Sequence, residues 1–193
     1  MRTIFYLLCA MGLFAQEYET QNYRVLGQLD DAEVRYYPEV MKAKTEGPLS
    51  SNGNFSKLFN YIAKGNASST KIAMTTPVYM QQNSERSQME FVLPRKYLSE
   101  KAPSPIRSDV VVYKARAGFF VALEFGGYNN ASKTAKYRRQ LEKILESNNI
   151  NPQGPLKVLG YNSPLTVFNR RNEVLFEVKE ESLPEAFRDS KKD

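Results

Sequence analysis

The segment KIAMTTPVYM, residues 71–80, brings together residue types that suit the wall of an apolar binding site. Side chains alternate between the two faces of a strand, so an extended conformation here puts every second residue on one face. Those residues are Ile72, Met74, Thr76, Val78 and Met80. This face carries no charge and two thioethers, which adapt their shape to flat apolar ligands. Pro77 cannot donate to a sheet ladder, which predicts an edge strand, a bulge or a bend.

The amino-acid composition excludes the common catalytic and metal sites. The 193 residues include no histidine, and Cys9 is the only cysteine. Ser-His-Asp and Cys-His catalysis need histidine, and the usual zinc and covalent haem sites need histidine or cysteine. A formal S-x-x-K match at residues 68–71 lies without its partner motifs. We therefore predict a protein that is not an enzyme.

The first fifteen residues have the layout of a secretory signal peptide. Arg2 is followed by an apolar run from Ile4 to Phe14 and then by the small residue Ala15. The run is too short to span a bilayer comfortably. Cleavage near Ala15 predicts export to the periplasm or the medium, with no stable membrane span afterwards. A retained N-terminal anchor, a buried strand or a lipidated Cys9 are the alternatives.

The remaining residues, 16–193, are predicted to form a single domain, because their number suffices for one substantial core. Lys and Arg outnumber Asp and Glu by 27 to 21, which gives a formal net charge of +6. A basic surplus can attract anionic ligands. A nucleic-acid role would rest on SKTAKYRR, residues 132–139, alone, so none is predicted. The sequence leaves the oligomeric state open.

Two helical segments organise the chain. Asn54 is a candidate cap for a helix from about Phe55 to Lys64, and a second helix is expected after Asn130 or Ser132. Extended segments flank both helices, so that each half reads as two strands, a helix and two strands, and the halves meet near 96–108. This order predicts an α+β fold in which two helices pack on a curved antiparallel sheet or incomplete barrel. The apolar positions of the first helix are Phe55, Leu58, Phe59 and Ile62.

Several phrases together resemble the SOUL/haem-binding protein family. They are EVRYYPEV, FSKLFNYIAKGN followed by KIAMTTPV, MEFVLP, and YNSP followed by RRNEV, in the order that the family shows. The resemblance covers the chain from about Tyr23 to Val178. It implies a distorted antiparallel β-barrel with two flanking helices, built from two pseudo-symmetric β-α-β repeats. The same fold is similar to bacterial effector-binding domains.

The resemblance also implies a small-molecule ligand, which is haem or another tetrapyrrole held non-covalently in an apolar groove beside the first helix. Without histidine, the iron would be met by Met, Tyr, Lys, water or nothing, so the metal ligand stays unknown. The predicted wall consists of Phe55, Leu58, Phe59, Ile62, Met74 and Met80. Lys57, Lys64 or Lys71 are candidates to pair with the propionates. Core packing of the apolar residues and solvation of the lysines are the simpler alternatives.

A second hypothesis is a general pocket of the effector-binding type, which binds or hydrolyses another amphipathic compound. Glu124 interrupts the apolar run FFVALEFGG and is a candidate centre for such a pocket, together with tyrosines. Exposure of this carboxylate on the outer face of the sheet is the alternative. Arg170, Arg171, Asn172 and Glu173 are predicted to form a structural hydrogen-bond and charge cluster at the start of the last strand.

Overall fold

The computed structural model describes residues 18–49, 53–163 and 165–188. The predicted signal peptide, residues 1–15, lies outside the described residues. The strands are β1 (Glu19–Thr20), β2 (Arg24–Leu29), β3 (Ala32–Tyr37), β4 (Val40–Pro48), β5 (Thr75–Thr76), β6 (Val78–Gln82), β7 (Arg86–Val92), β8 (Val110–Ala115), β9 (Gly118–Gly126), β10 (Pro152–Gly160) and β11 (Arg171–Val178). The α-helices are α1 (Gly53–Ile62) and α2 (Ala131–Ser147), and short 3-10 helices span Arg95–Leu98, Glu180–Ser182 and Glu185–Phe187.

Nine strands form one curled half-barrel sheet, which confirms the predicted α+β architecture. The strand order is β2-β3-β9-β11-β10-β6-β7-β4-β8, and all pairings within it are antiparallel. Each half contributes a strand to the other half: β3 pairs with β9, and β8 pairs with β4. Because of this exchange, the two halves share one continuous sheet.

The two helices cover one face of this sheet. Leu58 and Ile62 of α1 pack in a core cluster with Phe91 of β7, and Leu141 and Ile144 of α2 pack in a separate cluster with residues of β9, β10 and β11. A third cluster without helix residues occupies the opposite face. The amphipathic pattern of each helix thus covers its own half of the sheet.

The cap predicted for the second helix is present, whereas the cap predicted for the first helix is not. At α2, Oδ1 of Asn130 accepts a 2.9 Å hydrogen bond from the backbone N–H of Lys133, which confirms the predicted cap. At α1, Asn54 lies within the helix, and its amide donates to the carbonyl oxygen and Oγ of Ser87 at 3.0 Å. This buried side chain holds the helix on β7 and is not its cap. Lys64 has φ +117°, beyond the helix end at Ile62.

The segment 71–80 is bent, as Pro77 predicted. Residues 71–74 lie outside the strands, β5 ends at Thr76, and β6 begins again at Val78 after a cis peptide bond between Thr76 and Pro77. The short strand β1 runs parallel to β5, and the backbone N–H of Gln21 donates to the carbonyl oxygen of Thr76 at 2.8 Å. The N-terminal strand therefore supports the bend from outside the main sheet.

A buried carboxylate joins strands from the two halves. Glu173 of β11 is fully buried and accepts two hydrogen bonds, of 2.8 and 3.1 Å, from the guanidinium of Arg35 on β3. Arg171 adds a 2.7 Å bond from Nη2 to the same carboxylate. Burial raises the pKa of Glu173, but the hydrogen bonds and charges of Arg35 and Arg171 outweigh it and hold this pKa below its usual value.

Among the described residues, none of the helices combines the length and the apolar character that crossing a membrane requires.

Replacement of Glu173 by Gln is expected to lower the free energy of unfolding by about 3–5 kcal/mol at neutral pH, because it removes the buried anion from Arg35 and leaves only the partly exposed Glu33 as a carboxylate partner. The lowered pKa in the folded state means that ionised Glu173 stabilises the fold above the unfolded pKa of about 4.3, and that this contribution is lost as the pH falls through the folded pKa. The difference in the free energy of unfolding between the wild type and the Glu173→Gln variant should therefore become smaller below about pH 4.

Urea unfolding at a series of pH values measures this difference. Glu177→Gln on the same strand is the matched control, because its ion pair with Lys157 is partly exposed, and it should cost less than about 1 kcal/mol. Equal effects of the two variants would show that the buried network does not carry the stability assigned to it.

Candidate ligand-binding cavity

A cavity of about 730 Å³ opens beside α1, which is within the range of roughly 300–1,000 Å³ for small-molecule sites. Three parts of the chain form its wall: the outer side of α1, the segment that leads into the Pro77 bend, and the end of β10 with the residues after it. The N-terminal strand closes one edge. The residues that line the cavity are Tyr18, Glu19, Phe55, Phe59, Ile62, Ala63, Lys71, Ile72, Ala73, Met74, Thr76, Val78, Gly160, Tyr161, Asn162 and Ser163.

Two phenylalanines of α1 give the cavity an aromatic wall. Phe55 and Phe59 lie one helical turn apart, and their rings stack at 5.8 Å with an interplanar angle of 15°. The ring of Phe55 also meets Phe91 edge-on at 5.4 Å, which fixes it against the sheet. Phe59 remains 50 % exposed, an unusual state for such a side chain. A pair of nearly parallel, half-exposed rings suits the face of a flat aromatic ligand.

Five of the eight residues predicted to contact the ligand line this cavity: Phe55, Phe59, Ile62, Met74 and Lys71. They come from α1 and from the segment before the Pro77 bend, two parts of the chain that the sequence-based prediction had combined into one groove. Lys71 is exposed, whereas Ile62 is buried, so the cation lies toward solvent and the aliphatic side chain lies deep.

The other three predicted contact residues lie elsewhere. Leu58 is fully buried in the α1 core cluster, because it projects toward the sheet and not along it. Lys64 is exposed beyond the end of α1. Met80 lies past the bend, opposite Val158 of β10, and packs against the core cluster beneath α2. Lys57, a further candidate for the propionates, pairs with Asp109 at 3.0 Å.

The cavity wall includes residues from two other parts of the described chain that were not predicted, among them Tyr18, Glu19, Tyr161, Asn162 and Ser163. They are distant in sequence from α1, and only the sheet topology brings them there. The phrase YNSP at residues 161–164 was the one available signal, since it belonged to the family resemblance without a role.

Tyr161 connects the cavity to the buried network. Its hydroxyl donates a 2.9 Å hydrogen bond to Oε2 of Glu173, and the guanidinium of Arg171 lies 4.3 Å from the centre of its ring. Burial, and next the negative charge of Glu173, raise the pKa of Tyr161 far above its usual value. The bond to Glu173 therefore favours the protonated phenol and fixes Tyr161 in the cavity wall.

The alternative centre, Glu124, is not part of this cavity. Its side chain is 59 % exposed and pairs with Nε of Arg171 at 3.0 Å. The face opposite the helices instead buries a different ion pair, in which Nζ of Lys42 donates to Oε2 of Glu90 at 3.0 Å. Burial lowers the pKa of Lys42 despite the opposing charge of Glu90. Within the described parts of the chain, no three Cys, Asp or Glu side chains are grouped to hold a metal ion.

Comparison with known proteins identifies the family. The family described as SOUL heme-binding protein matches residues 18–177. The protein belongs to this family. Heme-binding protein 2 of Homo sapiens is 32 % identical over 139 residues, which cover 68 % of this chain and 67 % of the human protein. Both findings confirm the resemblance, and they support haem or another tetrapyrrole as a non-covalent ligand of this SOUL protein.

Solved structures with the same fold are remote in sequence. The crystal structure of the EcmrR C-terminal domain has a TM-score of 0.55 at 13 % identity and covers 81 % of this chain and 98 % of that chain. A hydrolase from Listeria innocua has a TM-score of 0.56 at 10 % identity, with coverage of 77 % and 92 %. At such identities the likeness shows the fold alone, and it confirms the half-barrel architecture.

Substitutions of two neighbouring residues of α1 should distinguish a core position from a position on the cavity wall. Leu58→Ala is expected to lower the free energy of unfolding by about 2–5 kcal/mol, because it leaves a hole in a closed core. Phe59→Ala should stay within about 1 kcal/mol of wild type, because half of this side chain is already exposed. Urea denaturation of both variants gives the comparison. If Phe59→Ala costs as much as Leu58→Ala, Phe59 is a core residue and the cavity lacks its aromatic wall.

Proposed function

We propose that this SOUL protein is an exported, non-enzymatic binding protein that holds haem or another tetrapyrrole in the cavity beside α1, without histidine ligation. The observation that carries the proposal is the stacked, half-exposed pair Phe55–Phe59 at the wall of a mostly apolar cavity, in a chain that belongs to a haem-binding family. A tetrapyrrole is a flat apolar disc with two carboxylates at one edge, and the cavity offers matching surfaces.

The residues of the cavity fit such a disc in two ways. Phe55, Phe59 and Ile62 offer apolar surface to its face, and Met74 offers a polarisable side chain that adapts to it. Lys71 is an exposed cation among the wall residues, which supports its assignment as the partner of a propionate at the rim. Burial of apolar area supplies the affinity, and the lysine orients the ligand.

Binding in this cavity does not depend on a strong iron ligand. The chain has no histidine, and the phenol of Tyr161 keeps its proton in its bond to Glu173. The donors in the wall include the thioether of Met74, the amine of Lys71, the phenol of Tyr18 and the carboxylate of Glu19, which already accepts a hydrogen bond from the backbone N–H of Arg95. The expected ligand therefore includes metal-free porphyrins as well as haem. Haem, when bound, supplies its own iron chemistry, and the protein supplies orientation and exclusion of water.

Export and the absence of catalysis rest on the sequence. The N-terminal fifteen residues have the charge and hydropathy order of a signal peptide. The absence of histidine removes the usual nucleophile–base pairs, and the one exposed carboxylate proposed as a catalytic centre, Glu124, pairs with Arg171. A binding or carrier role needs none of these groups.

A titration with haemin, and in parallel with metal-free protoporphyrin, tests the proposed function. The chain from Gln16 on should give saturable one-to-one binding with a shifted Soret band. Phe59→Asp should weaken binding of both ligands at least about tenfold, because it sets a charge against the apolar disc. Ile106→Asp is the matched control, since Ile106 is an exposed apolar residue outside the cavity.

A second pair of variants tests the rim. Lys71→Glu should weaken binding of haemin, whereas Lys64→Glu should leave it near wild type, because only Lys71 lines the cavity. Haem dimethyl ester lacks the propionate charges, so the two variants should bind it with equal affinity. Unsaturable binding, or equal loss with Phe59→Asp and Ile106→Asp, would contradict the proposed site. The effector-type pocket for another amphipathic compound would then be the better hypothesis.

A further inference from the structure

Three apolar side chains lie exposed on the connection between β10 and β11. Leu165 is 89 % exposed, Phe168 is 81 % exposed, and Val167 is 58 % exposed. We call Leu165, Val167 and Phe168 the apolar tip. Scattered exposed apolar residues are ordinary, but three within four positions, including a Leu and a Phe exposed almost completely, are not.

The apolar tip is held in place by its own backbone contacts. Nη1 of Arg170 donates to the carbonyl oxygens of Ser163 and Thr166, at 2.9 and 2.6 Å, and so ties the two sides of the connection together. Oδ1 of Asn162 accepts a 2.7 Å bond from the backbone N–H of Arg171 at the base. These contacts hold the backbone of the connection in the conformation that leaves the three apolar side chains exposed.

An interfacial aromatic residue and basic residues surround the base of the tip. The guanidinium of Arg170 lies 4.5 Å from the ring centre of Tyr128, which is itself half exposed. Nζ of Lys133 donates to the carbonyl oxygen of Gly126, the cross-strand partner of Arg171, and Lys136 follows one turn later on α2. Among the described residues, the ion pairs include none of Arg170, Lys133 and Lys136. The nearby carboxylate of Glu124 is already paired with Arg171.

The tip also lies next to the mouth of the cavity. Asn162 and Ser163 line the cavity, and Leu165 follows two positions later, with its backbone N–H donating to Oγ of Ser163 at 3.3 Å. Half-exposed Phe59 is on the wall of the same cavity. The mouth of the cavity and the apolar tip thus lie at the same end of the sheet, joined through Asn162 and Ser163.

We infer that the apolar tip inserts into the interface of an anionic lipid bilayer and seats the mouth of the cavity on the membrane. Interfacial binding increases with the apolar area buried and with attraction between basic residues and anionic headgroups, and this end of the molecule offers both. Tyrosine beside the tip suits the headgroup level, and lysine side chains extend along it with their charges in water. An amphipathic tetrapyrrole partitions into bilayers, so docking would let it pass directly between membrane and cavity.

The shape of the surface favours a bilayer over a protein partner. Stable protein interfaces bury about 20–30 residues a side around a closely packed core, whereas the apolar tip is a narrow protrusion of three side chains. A protrusion enters a fluid interface without needing a complementary pocket. Docking goes beyond the proposed function and does not depend on it, since only the transfer of ligand requires that the cavity bind a tetrapyrrole.

The first test uses tryptophan as a reporter, because the chain contains none. Phe168→Trp in the chain from Gln16 on should show a blue-shifted emission when vesicles of phosphatidylcholine with added phosphatidylglycerol are mixed in, without any haem present. Ile106→Trp, at another exposed apolar position, should show no shift. An unshifted Phe168→Trp emission, or equal shifts in the two proteins, would overturn the proposal.

Sedimentation with the same vesicles measures the affinity. The double variant Leu165→Ser, Phe168→Ser should have a membrane partition coefficient at least about tenfold below that of wild type. The control double variant Leu98→Ser, Ile106→Ser should bind the vesicles like wild type. Lys133→Gln with Lys136→Gln should weaken binding to vesicles with phosphatidylglycerol, and Lys101→Gln should not. Circular dichroism checks that all variants fold.

Three results would overturn the proposal, and each points elsewhere. Wild-type protein that does not sediment with these vesicles excludes the bilayer. A tip-dependent dimer in analytical ultracentrifugation without lipid assigns the tip to a second copy of this chain. Equal vesicle binding by the tip variant and wild type moves the membrane contact to another surface. None of these results bears on haemin titration, so the proposed function stands or falls separately.

Discussion

The buried ion pair between Glu173 and Arg35 is the interaction on which the rest of the structure depends. It connects β11, near the C-terminus, with β3, near the N-terminus, across β9, which places the small residue Ala122 between them on this face. A carboxylate without solvent is tolerable only because two guanidiniums and the Tyr161 hydroxyl satisfy its oxygens. The strands exchanged between the two halves are therefore held together by a buried ion pair as well as by backbone hydrogen bonds.

The same buried ion-pair network positions a residue of the candidate site. Glu173 holds the hydroxyl of Tyr161, whose ring forms part of the cavity wall, and Arg171 covers that ring while it pairs with both Glu173 and Glu124. The position of a wall residue is thus set by groups that never face the cavity. This arrangement gives a preorganised surface on the sheet side, while the wall on α1 consists of the stacked rings of Phe55, which Phe91 fixes, and of half-exposed Phe59.

The sequence predicted those features that arise from local patterns. The helical spacing of Phe55 and Phe59, the cap at Asn130 and the bend at Pro77 all follow from neighbours in the chain, and the described structure contains each of them. Periodicity could not separate Leu58, which faces the core, from Phe59, which faces the cavity, because both belong to one apolar stripe. Met80 was assigned to the cavity for a similar reason, since the alternation places it on the same face as Val78, which does line the cavity, whereas Met80 lies opposite Val158 and packs against the cluster beneath α2.

The contribution of distant segments explains both the residues that were missed and the position of the cavity. Tyr161 reaches the cavity only because β10 pairs with β6, a contact that no local pattern indicates. The α2 half has a similar order of elements, yet Leu183 and Phe187 from the C-terminal 3-10 helices and the turn between them pack against its core cluster, and Tyr137 stacks on Phe125 at 4.7 Å. Residues after the second half thus pack beside α2. Residues after the first half pack beside α1 in a similar way, since Tyr97 and Ala102 join its core cluster and the carbonyl oxygen of Pro103 accepts from the hydroxyl of Tyr61. The cavity lies on another side of α1, where Phe55 and Phe59 meet the end of β10 and the N-terminal strand, two segments that are distant in the sequence.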